Sequence, residues 1–356
     1  MKLPLFIIKS HRSTTQQAVA QNSNDMPNKV SRRTATRSQT RPVCNKGITQ
    51  FYLPPTCGRT IVGGLMTTGA PTTIIVCADA RVIREISTKY AVLGITAVGD
   101  ELFVLQEREA LLREALFPRF NKPIAVYCIN TYLKLRRLKV LGFQPNRNSD
   151  ITSCVRHKCL YMYGYADWYI LKYDLASSAV SKWYVHGHLC GLSVTPSCNL
   201  LVICKESIYE SKKPDDLLEL SAASGQRLRK IALPSDMKNL SHSVQLTTRQ
   251  FVVCHGLRQV SLVVDGGKVT RSYGGKEGSD VEQLNKPCHL AVDKDSQFVF
   301  VADKLNHRVA LLSPTLEFVR DLIEWLSCPR RLYFHQATRR LFVGEEHGGK
   351  ITVIQL

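Results

Sequence analysis

The sequence lacks an apolar run long enough to cross a membrane. Its first apolar run, Leu3–Ile8, has six residues, which is shorter than the core of a secretory signal. No later run approaches the roughly 20 residues of a membrane-spanning helix. These absences predict a soluble protein inside the cell, in the cytoplasm or alternatively in the nucleus.

The twelve cysteines lack any C-x-x-C pair, and no Cys and His residues have the spacing of a zinc site. Several cysteines, such as Cys204 and Cys254, lie inside apolar runs, where a free thiol behaves as a small hydrophobic group. The one cluster, His186, His188 and Cys190, lies between two strand patterns and is interpreted as an ordinary loop. We therefore expect reduced thiols, no metal site and no cofactor.

Acidic residues are scarce, with 29 Asp and Glu against 48 Lys and Arg. The imbalance is strongest in residues 1–60, which hold ten basic residues and only one acid, Asp25. This segment is rich in Ser, Thr, Gln and Asn and has no strand or helix periodicity before Phe51. It predicts a disordered basic tail, which is either a solvated linker or an arm that binds nucleic acid or an acidic surface.

A meander of short apolar runs stands out near the C-terminus. The runs Leu290–Val292, Phe298–Val301 and Val309–Leu312 are separated by turn-forming residues, and a fourth run, Phe318–Ile323, follows Pro314. Alternation of short apolar runs with turns is typical of antiparallel strands. The segment therefore predicts a four-stranded unit, as in one blade of a β-propeller.

Sliding this unit along the chain finds further copies of it. Positions equivalent to Val301 recur at intervals close to the 40–45 residues of a propeller blade: Val104, Met162, Ile203, Val253 and Val343. The last copy lacks its fourth strand, and Arg81–Ser87 is the strand predicted to supply it. We therefore predict an all-β propeller over 61–356, with six blades favoured and seven as the alternative. Its blades span about 90–142, 150–187, 188–234, 241–275, 284–324 and 328–356.

Two of the predicted blades contain insertions between their second and third strands. Glu107–Phe117 alternates apolar and charged residues with the spacing of a short amphipathic helix, and Glu206–Asp216 is polar and contains a proline. Because both insertions lengthen the same connection, we expect both on the same face of the propeller.

The best unit resembles an NHL repeat, as found in the C-terminal propeller of TRIM-NHL proteins. The resemblance rests on Pro287, Leu290-Ala-Val-Asp293, Val301-Ala-Asp303 and Asn306-His307-Arg308-Val309, preceded by Gly274, Gly275 and Gly278. It implies a recognition module that binds protein partners or RNA. In that family the ubiquitin ligase activity belongs to a RING domain, and this sequence has no RING or B-box spacing. The resemblance therefore implies no ligase activity.

The polar residues of this motif are interpreted as structural rather than catalytic: Pro287, Asp293, Asp303, Asn306, His307 and Arg308. Asp303 ends a strand, Asn306 suits a turn position with positive φ, and Arg308 can pair with Asp303 or a neighbouring blade. The three tryptophans, Trp168, Trp183 and Trp325, are expected to fill space between blades.

Propeller enzymes usually place their site at the mouth of the central channel. The segments predicted to open the inner strands contain thiols, imidazoles and cations but no carboxylate: Lys286–His289, Cys328–Arg331, His188–Cys190 and Ser241–Ser243. A hard divalent cation needs oxygen ligands. We therefore expect no enzyme, no catalytic residue and no small-molecule substrate, with a metal-dependent hydrolase as a distant alternative.

The segments that open the inner strands and the connections between second and third strands should lie on the same face of the propeller. This face is predicted to be basic, with interleaved aromatic residues. The residues assigned to it are Lys286, Lys304, Arg330, Arg331, Tyr165 and Trp168. Cations with aromatics can hold an acidic peptide or single-stranded RNA. The predicted function is a non-catalytic scaffold for an acidic protein partner, with RNA as the alternative and no role for a membrane.

Alternation and the repeat match also predict burial in the best unit. Val299, Val301, Val309 and Leu311 are expected in the core, and Lys304 and Arg320 are expected to be exposed.

Overall fold

The computed structural model describes residues 50–51, 59–64, 72–77, 80–88, 90–107, 123–164, 168–206 and 214–356 of the chain. The first three of these segments are described by their backbone strands alone. All regular elements in the described part are strands, apart from two short 3-10 turns, Lys304–Asn306 and Gln336–Thr338.

Six four-stranded antiparallel sheets form the six blades of a propeller, which confirms the predicted fold class and blade number. From blade 1 to blade 6, the inner strands are Val92–Val98, Asp150–Cys154, His188–Val194, His242–Thr247, Pro287–Val292 and Pro329–His335. The second strands are Glu101–Gln106, Cys159–Tyr163, Leu200–Lys205, Gln250–His255, Val299–Asp303 and Arg340–Glu345. The third strands are Ile124–Cys128, Tyr169–Asp174, Asp216–Leu220, Gln259–Val264, Arg308–Leu312 and Lys350–Gln355. The outer strands are Lys134–Leu138, Val180–Tyr184, Arg227–Ile231, Lys268–Gly274, Phe318–Ile323 and, in blade 6, Arg81–Ser87.

The last blade combines both ends of the propeller segment. Arg81–Ser87 pairs antiparallel with Lys350–Gln355, so the fourth strand of blade 6 comes from a position before blade 1 in the chain. Each inner strand contacts the inner strand of the next blade, and that of blade 6 contacts that of blade 1. The inner strands therefore form a closed ring around a central channel.

The antiparallel order gives the propeller two faces. We call the face at which the inner strands begin the entry face, and it also carries the connections between second and third strands. The face at which the inner strands end is called the exit face. Glu107 and Glu206, the first residues of the two predicted insertions, both follow second strands and so lie on the entry-face side. The helix predicted over Glu107–Phe117 falls almost entirely outside the described residues, as does most of Glu206–Asp216.

The core lies between blades, because residues on each sheet alternate between the two neighbouring sheets. Between blades 4 and 5, for example, Val252 and Val260 pack with Val299 and Val301. Val299, Val301, Val309 and Leu311 are all buried, as predicted.

The predicted exposure of Lys304 is wrong. Its side chain is only 13% exposed because it forms an ion pair with Glu346 of blade 6. Arg320, also predicted to be exposed, is half-buried on the outer strand of blade 5. Alternation alone does not predict such burial, because it comes from the neighbouring chain segments.

The polar motif of blade 5 ties the strands of that blade to the preceding loop. The Asp303 carboxylate accepts hydrogen bonds from Asn306 Nδ2 at 2.7 Å and from Arg308 Nε at 2.9 Å. Arg308 also donates to Asp321 Oδ2 and to the carbonyl oxygen of Gln283. Burial raises the pKa of Asp303, although these hydrogen bonds oppose the rise.

Two other motif residues have similar roles in connecting segments. The Asp293 carboxylate accepts hydrogen bonds from Ser296 Oγ at 2.5 Å and Arg339 Nη1 at 2.6 Å on the exit face. Pro287 begins the inner strand of blade 5, and its carbonyl oxygen accepts a hydrogen bond from Ser241 Oγ. The positive φ predicted for Asn306 is found at the next residue instead, since His307 has φ 56°.

A separate three-stranded antiparallel sheet contains Gln50–Phe51, Arg59–Gly64 and Thr72–Cys77. The predicted disordered tail, residues 1–60, lies largely outside the described residues. In the part of the chain that the structure describes, no helix has the length and apolar character needed to cross a membrane.

Candidate functional site: the entry face and channel ring

Six residues, one from each inner strand, lie toward the entry-face end of the channel. We call this set the channel ring: Gly94, Asp150, Gly191, His242, His289 and Arg331. The four side chains of the ring are buried. The two glycines leave room for them and for the neighbouring strand, because a Cβ on Gly94 would lie 2.5 Å from Ile151 Cγ2.

Arg331, which was predicted to lie on the binding face, instead reaches from blade 6 into the channel. Its Nε donates to the Leu93 carbonyl oxygen of blade 1 at 2.5 Å, and its Nη2 donates to the Ser149 carbonyl oxygen at 3.0 Å, next to blade 2. The guanidinium also forms an ion pair with Asp150, with 3.3 Å between Nε and Oδ1. Arg331 therefore links three blades and is not available at the surface.

Asp150 corrects the expectation that the channel mouth has no carboxylate. It begins the inner strand of blade 2, and its Oδ2 lies 3.8 Å from His289 Nε2 of blade 5 across the channel. Burial raises the pKa of Asp150, and the charge of Arg331 opposes the rise. The sequence analysis did not assign Asp150 to the channel because the predicted apolar strand begins one residue later, at Ile151.

His242 and His289 are stacked, with ring centroids 3.7 Å apart. Each ring accepts a backbone hydrogen bond from the next blade: His242 Nδ1 from Leu290 N at 3.2 Å, and His289 Nδ1 from Leu332 N at 3.4 Å. Burial, followed by the charge of Arg331, lowers the pKa of His242 to about 3. Burial and the neighbouring His242 lower the pKa of His289 well below its ordinary value. Both rings are therefore neutral at physiological pH.

Asp150, His242 and His289 are metal-ligand types, and their nearest donor atoms lie within 4.8 Å of one another. Because both Nδ1 atoms accept backbone N–H groups, the ring protons belong on the Nε2 atoms. A metal bound at Nε2 would leave the ring proton on Nδ1, where it would face a backbone N–H donor. In metal sites the second ring N–H instead donates a hydrogen bond to an oxygen acceptor. Arg331 adds a positive charge beside Asp150. The donor chemistry thus favours an ion pair of Asp150 with Arg331 over a bound cation.

The thiols at the channel mouth are poor nucleophiles. Burial raises the pKa of Cys190 to about 12 and also raises the pKa of Cys288. Cys288 Sγ instead donates to the carbonyl oxygens of Pro329 and Arg330, at 3.6 and 3.5 Å. Since the thiolate is the reactive form, these groups serve packing between blades.

A cavity of about 530 Å³ lies on the exit-face side of the channel, and His242 and His289 are among its lining residues. Hydroxyl groups that line the cavity form hydrogen bonds between neighbouring blades. Thr96 Oγ1 and Ser153 Oγ are 2.6 Å apart, and Ser193 Oγ donates to the Ser243 carbonyl oxygen. These hydroxyls connect blades rather than converging on one point as catalytic groups do.

The other residues assigned to the binding face are distributed differently from the prediction. Lys304 and Arg330 both pair with Glu346, the latter at 2.9 Å, and all three are largely buried. Burial opposes the low pKa of Glu346, but the hydrogen bond from Lys304 and the charge of Arg330 outweigh it. Lys286 is exposed. Glu346 escaped the sequence analysis because it lies in blade 6, far from its partner Lys304 in the chain.

The tryptophans also differ from the expectation that all three fill space between blades. Trp183 does so, packing against Tyr161 and the blade 3 residue Gly225. Trp168 is 52% exposed on the entry face, with its ring edge against His188. Trp325 is 93% exposed. Tyr165, the remaining predicted face residue, lies outside the described residues.

The chain is similar in structure to several solved proteins at low sequence identity. The WD40 β-propeller domain of Doa1 is 12% identical with a TM-score of 0.52, covering 78% of this chain and 97% of that domain. A hydrazine synthase from Kuenenia stuttgartiensis is 13% identical with a TM-score of 0.53, covering 84% of this chain and 90% of that one. A protein of unknown function from Bacteroides thetaiotaomicron has the same identity and TM-score, covering 84% of this chain and 82% of that one.

No protein-family model matches the chain, and no curated protein matches it in sequence. At this level of identity, the structural neighbours show the propeller fold alone. The NHL resemblance of blade 5 therefore stays a prediction.

Proposed function

We propose that the chain is a non-catalytic recognition scaffold that binds a protein partner through its entry face. The observation that carries this proposal is a group of exposed residues around Trp325. We call this group the Trp325 patch, and it consists of Leu257, Lys286, Leu305, His307 and Trp325. Leu257 is 54% exposed, Leu305 is 45% exposed and Trp325 is 93% exposed.

Backbone hydrogen bonds hold the members of the patch side by side across blades 4 and 5 and the loop that leads to blade 6. Lys286 N donates to the carbonyl oxygen of Leu257 at 2.8 Å. Leu305 N donates to the carbonyl oxygen of Asn285, the residue before Lys286. Leu326 N, next to Trp325, donates to the carbonyl oxygen of His307. The patch is thus continuous from blade 4 to the loop between blades 5 and 6. Exposed aromatic and aliphatic groups of this kind are typical anchors of protein interfaces.

Four residues of the patch have a left-handed backbone conformation. Leu257, Lys286, His307 and Trp325 have φ between 56° and 66°, a left-handed conformation that costs side-chain-bearing residues roughly 1–2 kcal/mol. Glycine or asparagine would hold these turns with less strain. The same conformation occurs at ten other non-glycine residues of the described part, so it determines which substitutions the patch tolerates and does not itself indicate binding.

The charges of the face favour an apolar partner surface over the acidic partner that the sequence suggested. Lys304 and Arg330 share the single carboxylate of Glu346, and Arg331 pairs with Asp150, so three of the four predicted cations are held in ion pairs. The same pairing weakens the case for RNA on this face, because phosphate binding needs available cations. We propose a protein partner whose contact surface is mainly apolar.

The test compares two double variants of the full-length chain in quantitative affinity capture from cell extract treated with ribonuclease. The patch variant is Leu305→Ser with Trp325→Asn. The control variant is Val155→Ser with Leu133→Ser, two residues that are 62% and 65% exposed on the exit-face side. We expect a defined set of proteins to be lost with the patch variant and retained with the control. Asn tolerates the left-handed backbone, so the patch variant should melt no lower than the wild type.

Retention of the same proteins by the patch variant would contradict the proposal. Capture of proteins from a parallel untreated extract but not from the ribonuclease-treated one would also contradict it, because RNA would then connect the chain to those proteins. Equal losses in both variants would show that the apolar surface of the chain is generally adhesive and that the entry face has no specific role.

A further inference from the structure

The outer strands of the blades have a strong excess of basic residues. Across the six outer strands there are twelve Lys and Arg residues and two acids: Arg81, Arg84, Lys134, Arg136, Arg137, Lys182, Arg227, Arg229, Lys230, Lys268, Arg271 and Arg320, with Glu85 and Asp321. This gives a net charge of +10. Residues 61–356 as a whole also have a net charge of +10. The basic and acidic residues of that segment outside the outer strands are therefore equal in number.

The excess is continuous around most of the propeller. The outer strands of blades 6, 1, 2, 3 and 4 are net positive, and these five blades are consecutive neighbours around the ring. In blade 5 the one cation, Arg320, is balanced by Asp321. We call the five positive strands the basic belt. Each strand has five to seven residues, which corresponds to a band roughly 17–23 Å high.

Only part of this charge is balanced by nearby acids. Arg136 pairs with Glu101, and Arg229 pairs with Glu219 at 2.7 Å. Lys230 and Arg271 also have carboxylate partners, Asp216 and Glu317. The belt residues Arg84, Lys134, Lys182, Arg227 and Lys268 are exposed to solvent. They come from five different blades, so solvent-facing cations recur around the circumference.

Protection of edge strands explains charge on outer strands but not its sign. Charged side chains on an edge prevent pairing with another chain, and acidic residues would provide electrostatic repulsion between copies equally well. Twelve of the fourteen charged residues are basic, and eight of the twelve are arginines. Arginine is suited to phosphate because its planar donors bind oxygens bidentately.

We infer that the basic belt binds the phosphate backbone of single-stranded nucleic acid along the circumference of the propeller. A flexible polyanion follows a curved band and contacts several blades in turn, whereas a flat anionic membrane touches a circular edge at only one or two blades. One exposed aromatic residue on the belt, Tyr184, is 77% exposed and offers a face on which a base can stack. The contact does not involve the Trp325 patch, so it is independent of the proposed protein partner.

The test measures binding of a fluorescently labelled 30-nucleotide single-stranded RNA of mixed sequence by anisotropy. The belt variant carries Arg84→Glu, Lys134→Glu, Arg227→Glu and Lys268→Glu, one change in each of four blades. The control variant carries Arg156→Glu, Lys158→Glu, Arg249→Glu and Lys294→Glu, four exposed residues in exit-face loops. Both variants contain the full chain and lose the same charge, so the basic segment 1–60 and the bulk charge are matched.

We expect the belt variant to bind about tenfold or more weakly than the control at 100 mM salt, because each phosphate contact contributes counterion release. The slope of log affinity against log salt should fall in magnitude by about 3 for the four lost contacts. Thermal melts of both variants near that of the wild type would show that folding is not the cause.

Equal binding by the belt variant and the wild type would overturn the inference. Equal losses in both variants would overturn it as well, because bulk charge would then explain the affinity. Absence of RNA binding by the wild type at 50 mM salt, or saturable binding only to phosphatidylserine vesicles, would likewise rule out a nucleic-acid belt.

Discussion

The imidazoles of the channel ring connect the ionisation of two residues to the stability of the whole propeller. His242 and His289 are neutral, stacked on each other, and accept hydrogen bonds from the inner strand of the next blade. Protonation would place charge in a buried site beside Arg331. The folded state therefore resists protonation that the unfolded chain accepts near pH 6.5.

This difference predicts a loss of stability in acid. The pKa of His242 is about 3 in the folded protein, so between pH 6.5 and about 3 the unfolded state binds the extra proton. Stability is fully present above pH 6.5 and should fall by about 1.4 kcal/mol per pH unit for each such histidine below it. Asp150 acts in the opposite direction, because its raised pKa favours proton binding by the folded state.

The measurement is denaturant unfolding at intervals from pH 7 to pH 4.5. The variant His242→Asn with His289→Asn keeps an oxygen acceptor near the backbone N–H groups but cannot be protonated. Its stability should depend less steeply on pH than that of the wild type. A control with His186→Asn, an exposed residue, should keep the wild-type slope. Equal slopes for the wild type and the double variant would contradict the assignment.

At the scale of elements, the strands were predictable from local patterns, and their long-range ion pairs were not. Alternation and turn residues predict the four strands of blade 5, and a shift of 42 residues places the strands of blade 6. The closing strand followed from counting strands in the last copy, and a strand with the bounds Arg81–Ser87 lies there. The pairing of Lys304 with Glu346 depends on how neighbouring blades stack, which a periodic pattern does not encode.

The same reasoning explains why the candidate site was only partly predictable. His242 and His289 were recognised as residues at strand openings, but not as a stacked pair, because neighbouring blades are about 48 residues apart in the chain. Arg331 was placed on the binding face because it lies in Cys328–Arg331, a segment predicted to open an inner strand. Its burial depends on Asp150 of blade 2, and no sequence pattern places that carboxylate opposite Arg331.

Val301 tests the packing between blades 4 and 5. Its side chain is fully buried with Val299, Leu290 and Val260. Val301→Ala should lower the free energy of unfolding by about 2–3 kcal/mol through lost contacts and the cavity left behind. Val155→Ala, at a site 62% exposed, should change it by less than about 0.5 kcal/mol. Denaturant unfolding of both variants checks the prediction, and equal effects would argue against a core position for Val301.

The closing strand makes a separate prediction about an element. A chain starting at Ala80 keeps Arg81–Ser87 and should remain folded, whereas a chain starting at Tyr90 lacks the partner of Lys350–Gln355. The shorter chain exposes an unpaired edge and part of the core around Ile86, so it should melt lower or aggregate. Adding a synthetic peptide of residues 80–89 should raise its melting temperature. Identical melts for the two truncated chains would contradict a closing role.

At the scale of the whole propeller, the ring of blades is joined both at its circumference and at its channel. At the circumference, Arg81–Ser87 pairs with the last strand of the chain. At the channel, Arg331 joins blade 6 to blades 1 and 2 through Leu93, Ser149 and Asp150. Each junction connects segments that are distant in sequence. Loss of either should therefore affect cooperative unfolding of the complete propeller and not one blade alone.

Arg331 offers the sharpest test of closure at the channel. Arg331→Met keeps much of the side-chain volume but leaves Asp150 buried without its partner, which should cost about 3–5 kcal/mol. Adding Asp150→Asn removes the unpaired charge, so the double variant should be more stable than Arg331→Met alone. Denaturant unfolding of the wild type, both single variants and the double variant gives the coupling energy between the two sites. Additive effects would show that the ion pair does not couple blades 2 and 6. A single unfolding transition by both tryptophan fluorescence and circular dichroism is expected in the wild type, because the intact junction joins the blades into one cooperative ring.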